Sequence, residues 1–281
     1  MLSTSIDVDV ERQFFLSETF ISRDDTDHHD ALQVLKQIRT KNLHNVIVGL
    51  LNVNSIASKF DAIKCFIPGN IDVMIFCETK LDDSYPTGQF LMDGFKKPFR
   101  LDRNVHGGGL LIYIRTDIAC TLKRDYKLSG DIEGMFVELN FRKSKWLLFG
   151  TYHPPSQNDI YYFSEIGRAL NHYTQKYEKL ILAGDFNAEQ KENVLNNFMD
   201  LYDLKCLVNE KTCFKSIQNP SCIDLFLTNC KRAFVSRKAI STGCSNFQKM
   251  IVTVFKTNFK RAQPKNMLYS CFRNFNSEEF K

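Results

Sequence analysis

No histidine follows His172 in this chain of 281 residues, so all six lie at or before that position. No apolar run approaches the ~18 residues that a membrane helix needs, and no membrane partner is expected. Nine cysteines are present, yet there is no Cys-x-x-Cys and no Cys/His pair at zinc-ligand spacing. They read as reduced thiols, which favours a nuclear or cytoplasmic location over an oxidising compartment. Thirteen glycines are too few for a collagen-like or linker-rich chain. Neither Gly-x-Gly-x-x-Gly nor a P-loop occurs, so Gly107-Gly108-Gly109 reads as a hairpin turn and no nucleotide site is expected. There are no internal repeats. Met1 to Asp9 lacks both a basic start and a sustained apolar stretch, so no secretory signal is expected.

What is present fits a folded protein with a large core. Hydrophobic residues make up 43% of the chain, 24 of them Phe, and the net charge is +5. The length accommodates one large α/β or all-β domain, or two small ones. Residues 1–43 carry eight acids against five bases, which leaves the rest more basic than the whole. A polyanionic partner such as nucleic acid is compatible with this balance, though excess Lys also serves solubility. Residues 1–43 read as a polar, disordered tail. Within it, Arg23 to Asp30 offers metal-type donors but reads far more readily as a solvated charge run.

The body alternates apolar runs with polar ends. Asn45 to Leu51 reads as a buried strand that delivers Asn52-Val53-Asn54-Ser55, with Ser55 a candidate N-cap for a helix to Phe66. Ile71 to Cys77 is another strand and ends in Glu78-Thr79-Lys80. Ile118 to Leu122, Met135 to Phe141 and Trp146 to Thr151 alternate in polarity and predict an antiparallel meander, which stops at Tyr152-His153-Pro154-Pro155. Asp159 to Tyr177 is helical, with Ile160, Phe163, Ile166, Leu170 and Tyr173 as its apolar stripe. Lys179 to Ala188 then stops an apolar run at Gly184 and delivers Asp185 and Asn187 on one face. A carboxylate that accepts a proton beside an amide that donates hydrogen bonds suits water activation or a phosphate oxygen. The same residue types also make turns. A helix over Val194 to Leu204 follows, then a strand over Ser221 to Leu227 in which Asp224 interrupts the apolar run. An unpaired carboxylate in an interior would cost several kcal/mol, so Asp224 belongs to an exposed edge or to a polar cluster. Strands at Lys238 to Thr242 and Lys249 to Lys256 flank Ser245-Asn246-Phe247-Gln248.

Strand-end polar groups in the order Asn52, Glu78, Tyr152, Asp185 with Asn187, and Asp224 resemble the endonuclease/exonuclease/phosphatase superfamily. More narrowly, Asn-Val-Asn-Ser, Glu-Thr-Lys-Leu-Asp, Tyr-His-Pro-Pro-Ser, Gly-Asp-Phe-Asn and Cys-Ile-Asp-Leu-Phe-Leu-Thr-Asn are similar to the endonuclease domain of non-LTR (LINE-type) retrotransposons. The resemblance implies an α/β (α+β) fold: two packed mixed β-sheets flanked by helices, a four-layer DNase I-like sandwich with its site at one end. It implies a domain over residues 44–259, a basic tail over 260–281, and a chain that stops before the reverse transcriptase of whole elements. The implied chemistry is Mg²⁺- or Mn²⁺-dependent hydrolysis of a DNA phosphodiester, with RNA as a further possible partner. By resemblance, Glu78 holds the metal with Asn52, Asp185 and Asn187 orient and deprotonate water, and Tyr152 contacts the scissile phosphate. Asn187 and His153 are further candidates for phosphate contact, and His153 is a candidate substitute base.

The departure lies at residues 245–248. Similar retroelements carry Ser-Asp-Phe-His-Lys there, so Asn246 stands where the Asp belongs and Gln248 where the His belongs, leaving Asp224 without the histidine it would orient. Asn supplies no charge and Gln cannot exchange a proton near neutral pH. The expectation is a severely weakened nuclease. The rival readings are a catalytically inactive nucleic-acid binder and a phosphoesterase acting on small molecules or lipids.

Overall fold

Val46–Asn52 (β1) is buried at all seven positions and pairs in parallel with Val73–Cys77 (β2), buried at all five. Strands without a polar face must be covered on both sides, and that requirement sets the layering. The computed structural model describes residues 29–141, 144–189 and 193–257. β1 and β2 lie in the middle of a six-stranded mixed sheet with Phe99–Leu101 (β3), Leu110–Ile114 (β4), Phe234–Ile240 (β11) and Met250–Phe255 (β12), in the order β11-β12-β1-β2-β4-β3. The second sheet holds Ala119–Leu122 (β5), Glu133–Phe141 (β6), Ser144–Tyr152 (β7), Leu180–Asp185 (β8), Lys205–Cys206 (β9) and Asp224–Thr228 (β10), in the order β5-β6-β7-β8-β10-β9. The meander over β5, β6 and β7 is antiparallel, as its alternation predicts.

The alternation of side chains divides the core. Val48, Leu50, Ile75 and Ile112 face Val137, Leu148, Ile181 and Phe226 between the sheets. The neighbours that point the other way receive helices. A helix over 29–41 (α1) and Phe60–Phe66 (α2) cover the first sheet, where Leu35, Phe60 and Ile63 meet Leu51 and Phe76. Asp159–Thr174 (α3) and Asn193–Leu201 (α4) cover the second, where Phe163, Ile166 and Leu195 meet Phe149 and Leu182. The result is the four-layer α/β sandwich.

Several local expectations are corrected. Residues 29–41 are helical, with Ala31 and Leu35 buried, so the expected tail over 1–43 does not extend to its stated end. The Arg39 guanidinium anchors this helix, donating to Asp72 Oδ2 at 2.6 Å and to the Asn70 carbonyl at 2.9 Å. A polar composition conceals the i, i+4, i+7 spacing of Ala31, Leu35 and Ile38. Ser55 is not a helix cap. Its amide and that of Ile56 donate to the carbonyls of Glu78 and Thr79, which draws the chain across the end of β2, and α2 begins only at Phe60. Ile160 is 67% exposed and lies off the buried stripe of α3. The tail over 260–281, and Arg23 to Asp30 apart from its last two residues, lie outside the described residues. Cys65, Cys77, Cys120, Cys213, Cys222 and Cys230 form no disulfide. Among the described residues, no helix is long and apolar enough to cross a membrane.

Candidate active site

The parallel pairings carry the C-terminal ends of β1, β2, β7 and β8 to one end of the sandwich, and β10 starts there. Asn52, Tyr152 and Asp185 are the last residues of their strands, Glu78 follows β2, and Asp224 opens β10. Tyr152 and Asp224 stand on either side of Asp185 in register. Gly184 makes this closeness possible: a β-carbon there would lie 1.9 Å from the Thr151 carbonyl oxygen of β7.

Asp185 is 1% exposed. Its Oδ2 accepts from Asn52 Nδ2 at 2.7 Å and from Gln248 Nε2 at 3.3 Å, and its Oδ1 accepts from the Asn187 amide at 3.0 Å. Burial pushes its carboxyl up to about 6, against the lowering effect of the Asn52 and Asn187 donors. Asn187, at φ 45°, also donates from Nδ2 to the His153 carbonyl at 2.6 Å. The turn and the site are therefore one object, an Asx-type turn whose carboxylate faces the strand ends.

Asp224, also 1% exposed, has no donor in good hydrogen-bonding geometry on either carboxylate oxygen among the described residues, the Thr212 hydroxyl being its polar neighbour. Burial and then the neighbouring Asp185 charge push its carboxyl well above the usual range. Gln248 is buried and donates to Asp185. Asn246, expected in the catalytic set, is exposed and joins none of these contacts.

Across the site, Tyr152 donates its hydroxyl to Glu78 Oε1 at 2.7 Å. Lys80 donates to Asn54 Oδ1 at 2.6 Å and lies 3.9 Å from Glu78 Oε2. Burial, then the hydrogen bond and charge of Glu78, raise the Tyr152 phenol well above its ordinary range. The Tyr152–Glu78 and Asn52–Asp185 bonds each join one sheet to the other. Asn54, Ser55, Glu78, Lys80 and Asn187 all have positive φ, a concentration of left-handed non-glycine backbone at this end of the fold that persists only where the surroundings hold it.

His153 does not face a phosphate. Its ring is 1% exposed, stacks on Tyr162 with centroids 3.9 Å apart, and places Nδ1 2.7 Å from the Phe186 carbonyl oxygen and Nε2 3.2 Å from that of Gln157. The prolines after it turn the chain so that the imidazole enters the core under α3 instead of the rim. The ring offered as a substrate contact and substitute base is thus buried in this arrangement. Sequence reasoning does not assign Lys80, Arg103 or Glu133, although an acid opening an alternating strand, as in Ile132-Glu133-Gly134, is a usable signal.

Among the described residues, no group of three His, Cys, Asp or Glu side chains gathers as a metal cluster. The donors that remain are oxygens: the Glu78 carboxylate and the Asn52 amide oxygen, which also accepts from the Asn54 amide at 3.1 Å. One carboxylate with one amide oxygen fits Mg²⁺, which keeps several of its waters, better than it fits a softer metal.

Residues 21–241 match the model of the endonuclease/exonuclease/phosphatase family. The chain belongs to this family. Comparison with curated protein sequences finds no match. Solved structures with the same fold include the endonuclease domain of TRAS1, a telomere-specific non-LTR retrotransposon, at 15% identity and a TM-score of 0.61, covering 76% of this chain and 99% of that one. The AP endonuclease LMAP from Leishmania major matches at 13% identity and a TM-score of 0.61, over 75% of this chain and 88% of its own. A variant of the 3′ phosphatase NExo from Neisseria, bound to product DNA hairpin, matches at 14% and 0.56, over 75% and 99%. These likenesses extend the shared endonuclease/exonuclease/phosphatase fold over about three quarters of the chain.

Proposed function

We propose that this chain is a DNA-binding, divalent-metal-dependent phosphodiesterase of the retroelement type whose hydrolytic step is severely weakened. The observation that carries this reading is the Gln248 carboxamide donating to Asp185, whose strand partner Asp224 has no donor in good geometry among the described residues. A histidine in that place would bond Asp224 and exchange protons near neutral pH. Glutamine does neither, and the loss of acid/base help is worth ~10² to 10⁴ in rate.

Glu78 and Asn52 are the residues that would hold Mg²⁺ or Mn²⁺, and the ion supplies positive charge where the phosphate becomes more negative. Asp185 is the acceptor for the proton of the attacking water. Asn52 and the Asn187 amide hold its carboxylate in place. Tyr152 fixes one oxygen of Glu78 and leaves the other directed away from it. The net charge of +5 favours a polyanion, and binding through phosphates loses affinity steeply as salt rises.

The test is nicking of supercoiled plasmid with Mg²⁺ by the natural chain, Gln248→His and Asp185→Ala. The expected result is cutting by Gln248→His alone, with all three proteins retaining salt-sensitive DNA binding. Cutting by the natural chain that Asp185→Ala abolishes would show that Gln248 does not cripple the site. Silence from all three, with folding verified by circular dichroism, would remove hydrolysis and leave the nucleic-acid binder.

A further inference from the structure

Glu133 opens β6 directly opposite Tyr152 and is 8% exposed. Its carboxylate belongs to none of the contacts described above. Oε2 accepts from the Gly109 amide at 2.6 Å, and Oε1 accepts from Arg103 Nη1 at 3.1 Å. The turn that it grips continues straight to the metal-type carboxylate. The Gly109 carbonyl accepts from the Thr79 amide at 3.3 Å and the Gly108 carbonyl from the Lys80 amide at 3.0 Å, and these are the two residues that follow Glu78.

The turn is shaped to admit the carboxylate. Gly108 and Gly109 have φ of +71° and +90°, and a β-carbon at 108 would lie 2.5 Å from both oxygens of Glu133. One at 109 would lie 2.4 Å from Thr79 Oγ1. A second route runs through β7: the Thr151 hydroxyl donates to the Glu133 carbonyl at 2.7 Å, and its neighbour Tyr152 donates to Glu78. Glu78 sits at φ 51°, a conformation that persists only where the surroundings hold it. Burial raises the Glu133 carboxyl above its ordinary range while the Gly109 amide and Arg103 act against this, so the fold keeps a costly group here and supplies it with charge-assisted partners.

We propose that Glu133 is a positioning residue for Glu78, acting through the Gly108-Gly109 turn. The proposal rests on the reading of Glu78 as the metal-holding carboxylate. Its test uses the full chain with Mn²⁺ as the probe, and compares Glu133→Ala, Glu133→Gln and a Glu78→Gln control. Mn²⁺ binding is read by electron paramagnetic resonance. Amide hydrogen exchange is read by mass spectrometry on peptides carrying Thr79-Lys80 and Gly109.

In Glu133→Ala those amides should exchange about tenfold faster or more, because a charge-assisted acceptor is lost, while β1 and β12 stay unchanged. The Mn²⁺ dissociation constant should rise by about tenfold or more, as is usual when an outer-shell partner is removed. Glu133→Gln retains an acceptor for Gly109 and should restore most of both effects. Unchanged exchange at Thr79, Lys80 and Gly109 overturns the proposal, as does faster exchange spread equally over β1 and β12. Faster local exchange with unaltered Mn²⁺ affinity, where Glu78→Gln weakens binding, also overturns it and makes Glu133 a structural brace. If Glu78→Gln itself leaves Mn²⁺ binding intact, the reading of Glu78 fails, and the exchange data alone decide whether Glu133 holds its loop.

Discussion

Asp224 and Asp185 face each other across the antiparallel pairing of β10 with β8, and among the described residues only Asp185 has well-formed hydrogen bonds to its carboxylate. The Asp224 carboxyl is raised above its unfolded value by burial and by its neighbour. The folded state therefore retains a proton that the unfolded state releases above about pH 4. The stability contributed by this group is fully present below that pH and is lost as pH rises toward the folded pKa. Asp224→Asn should stabilise the protein at neutral pH by on the order of 1–2 kcal/mol, because folding no longer has to hold a proton on a buried carboxyl. Urea unfolding between pH 4 and 8 should show a flatter profile for the variant. A less stable variant at pH 7 would mean that the carboxylate has a partner there.

Gln248 and Asn246 are two residues apart, and only Gln248 reaches the carboxylates. Gln248→His should raise Mg²⁺-dependent nicking by ~10² or more, whereas Asn246→Asp alone should change it by less than about twofold. Adding Asn246→Asp to Gln248→His should yield no further gain. Plasmid nicking rates for the three variants check this, and a large effect of Asn246→Asp would place that side chain in the site.

Arg39 fastens α1 to the first sheet through the buried Asp72 carboxylate. Asp72 also accepts from the Ile47 amide at 2.7 Å and pairs with Arg115, so it retains partners when Arg39 is removed. Arg39→Ala should cost about 3 kcal/mol, at the low end for breaking a buried pair. The urea midpoint measures it, and a loss below about 1 kcal/mol would show that α1 contributes little to the fold.

His153→Ala should lower stability by about 2 to 3 kcal/mol through its lost stacking and hydrogen bonds under α3. The slope of DNA affinity against salt, measured by fluorescence anisotropy, should stay the same for the folded variant. A slope reduced by about one phosphate contact would return the imidazole to the DNA surface.

The strands and the convergence of their polar ends are legible because continuous apolar runs ending in Asn52, Glu78, Tyr152, Asp185 and Asp224 leave few alternatives for where those groups go. Other features stay hidden. The helix over 29–41 is masked by charged neighbours that face solvent, since composition averages over faces that packing separates. For His153, sequence position near a strand end does not say which way a residue before two prolines points. For Asn246, alignment with a motif does not say whether a loop side chain ends up exposed. Glu133 acts through backbone groups of glycines, which offer no side-chain pattern to recognise.

The bonds from Asn52 to Asp185 and from Tyr152 to Glu78 both bridge the gap between the sheets, so the geometry of the reacting end is set by how the two slabs are stacked. The layer of Leu50, Ile75, Leu148 and Ile181 acts as a spacer for the chemistry as much as a source of stability. A methylene gained or lost there would tilt one slab against the other and shift the paired groups by tenths of an ångström, with no polar residue altered. Substitutions far from the strand ends would then alter function first and folding second, and residues chosen for volume alone would carry much of the tuning of the site.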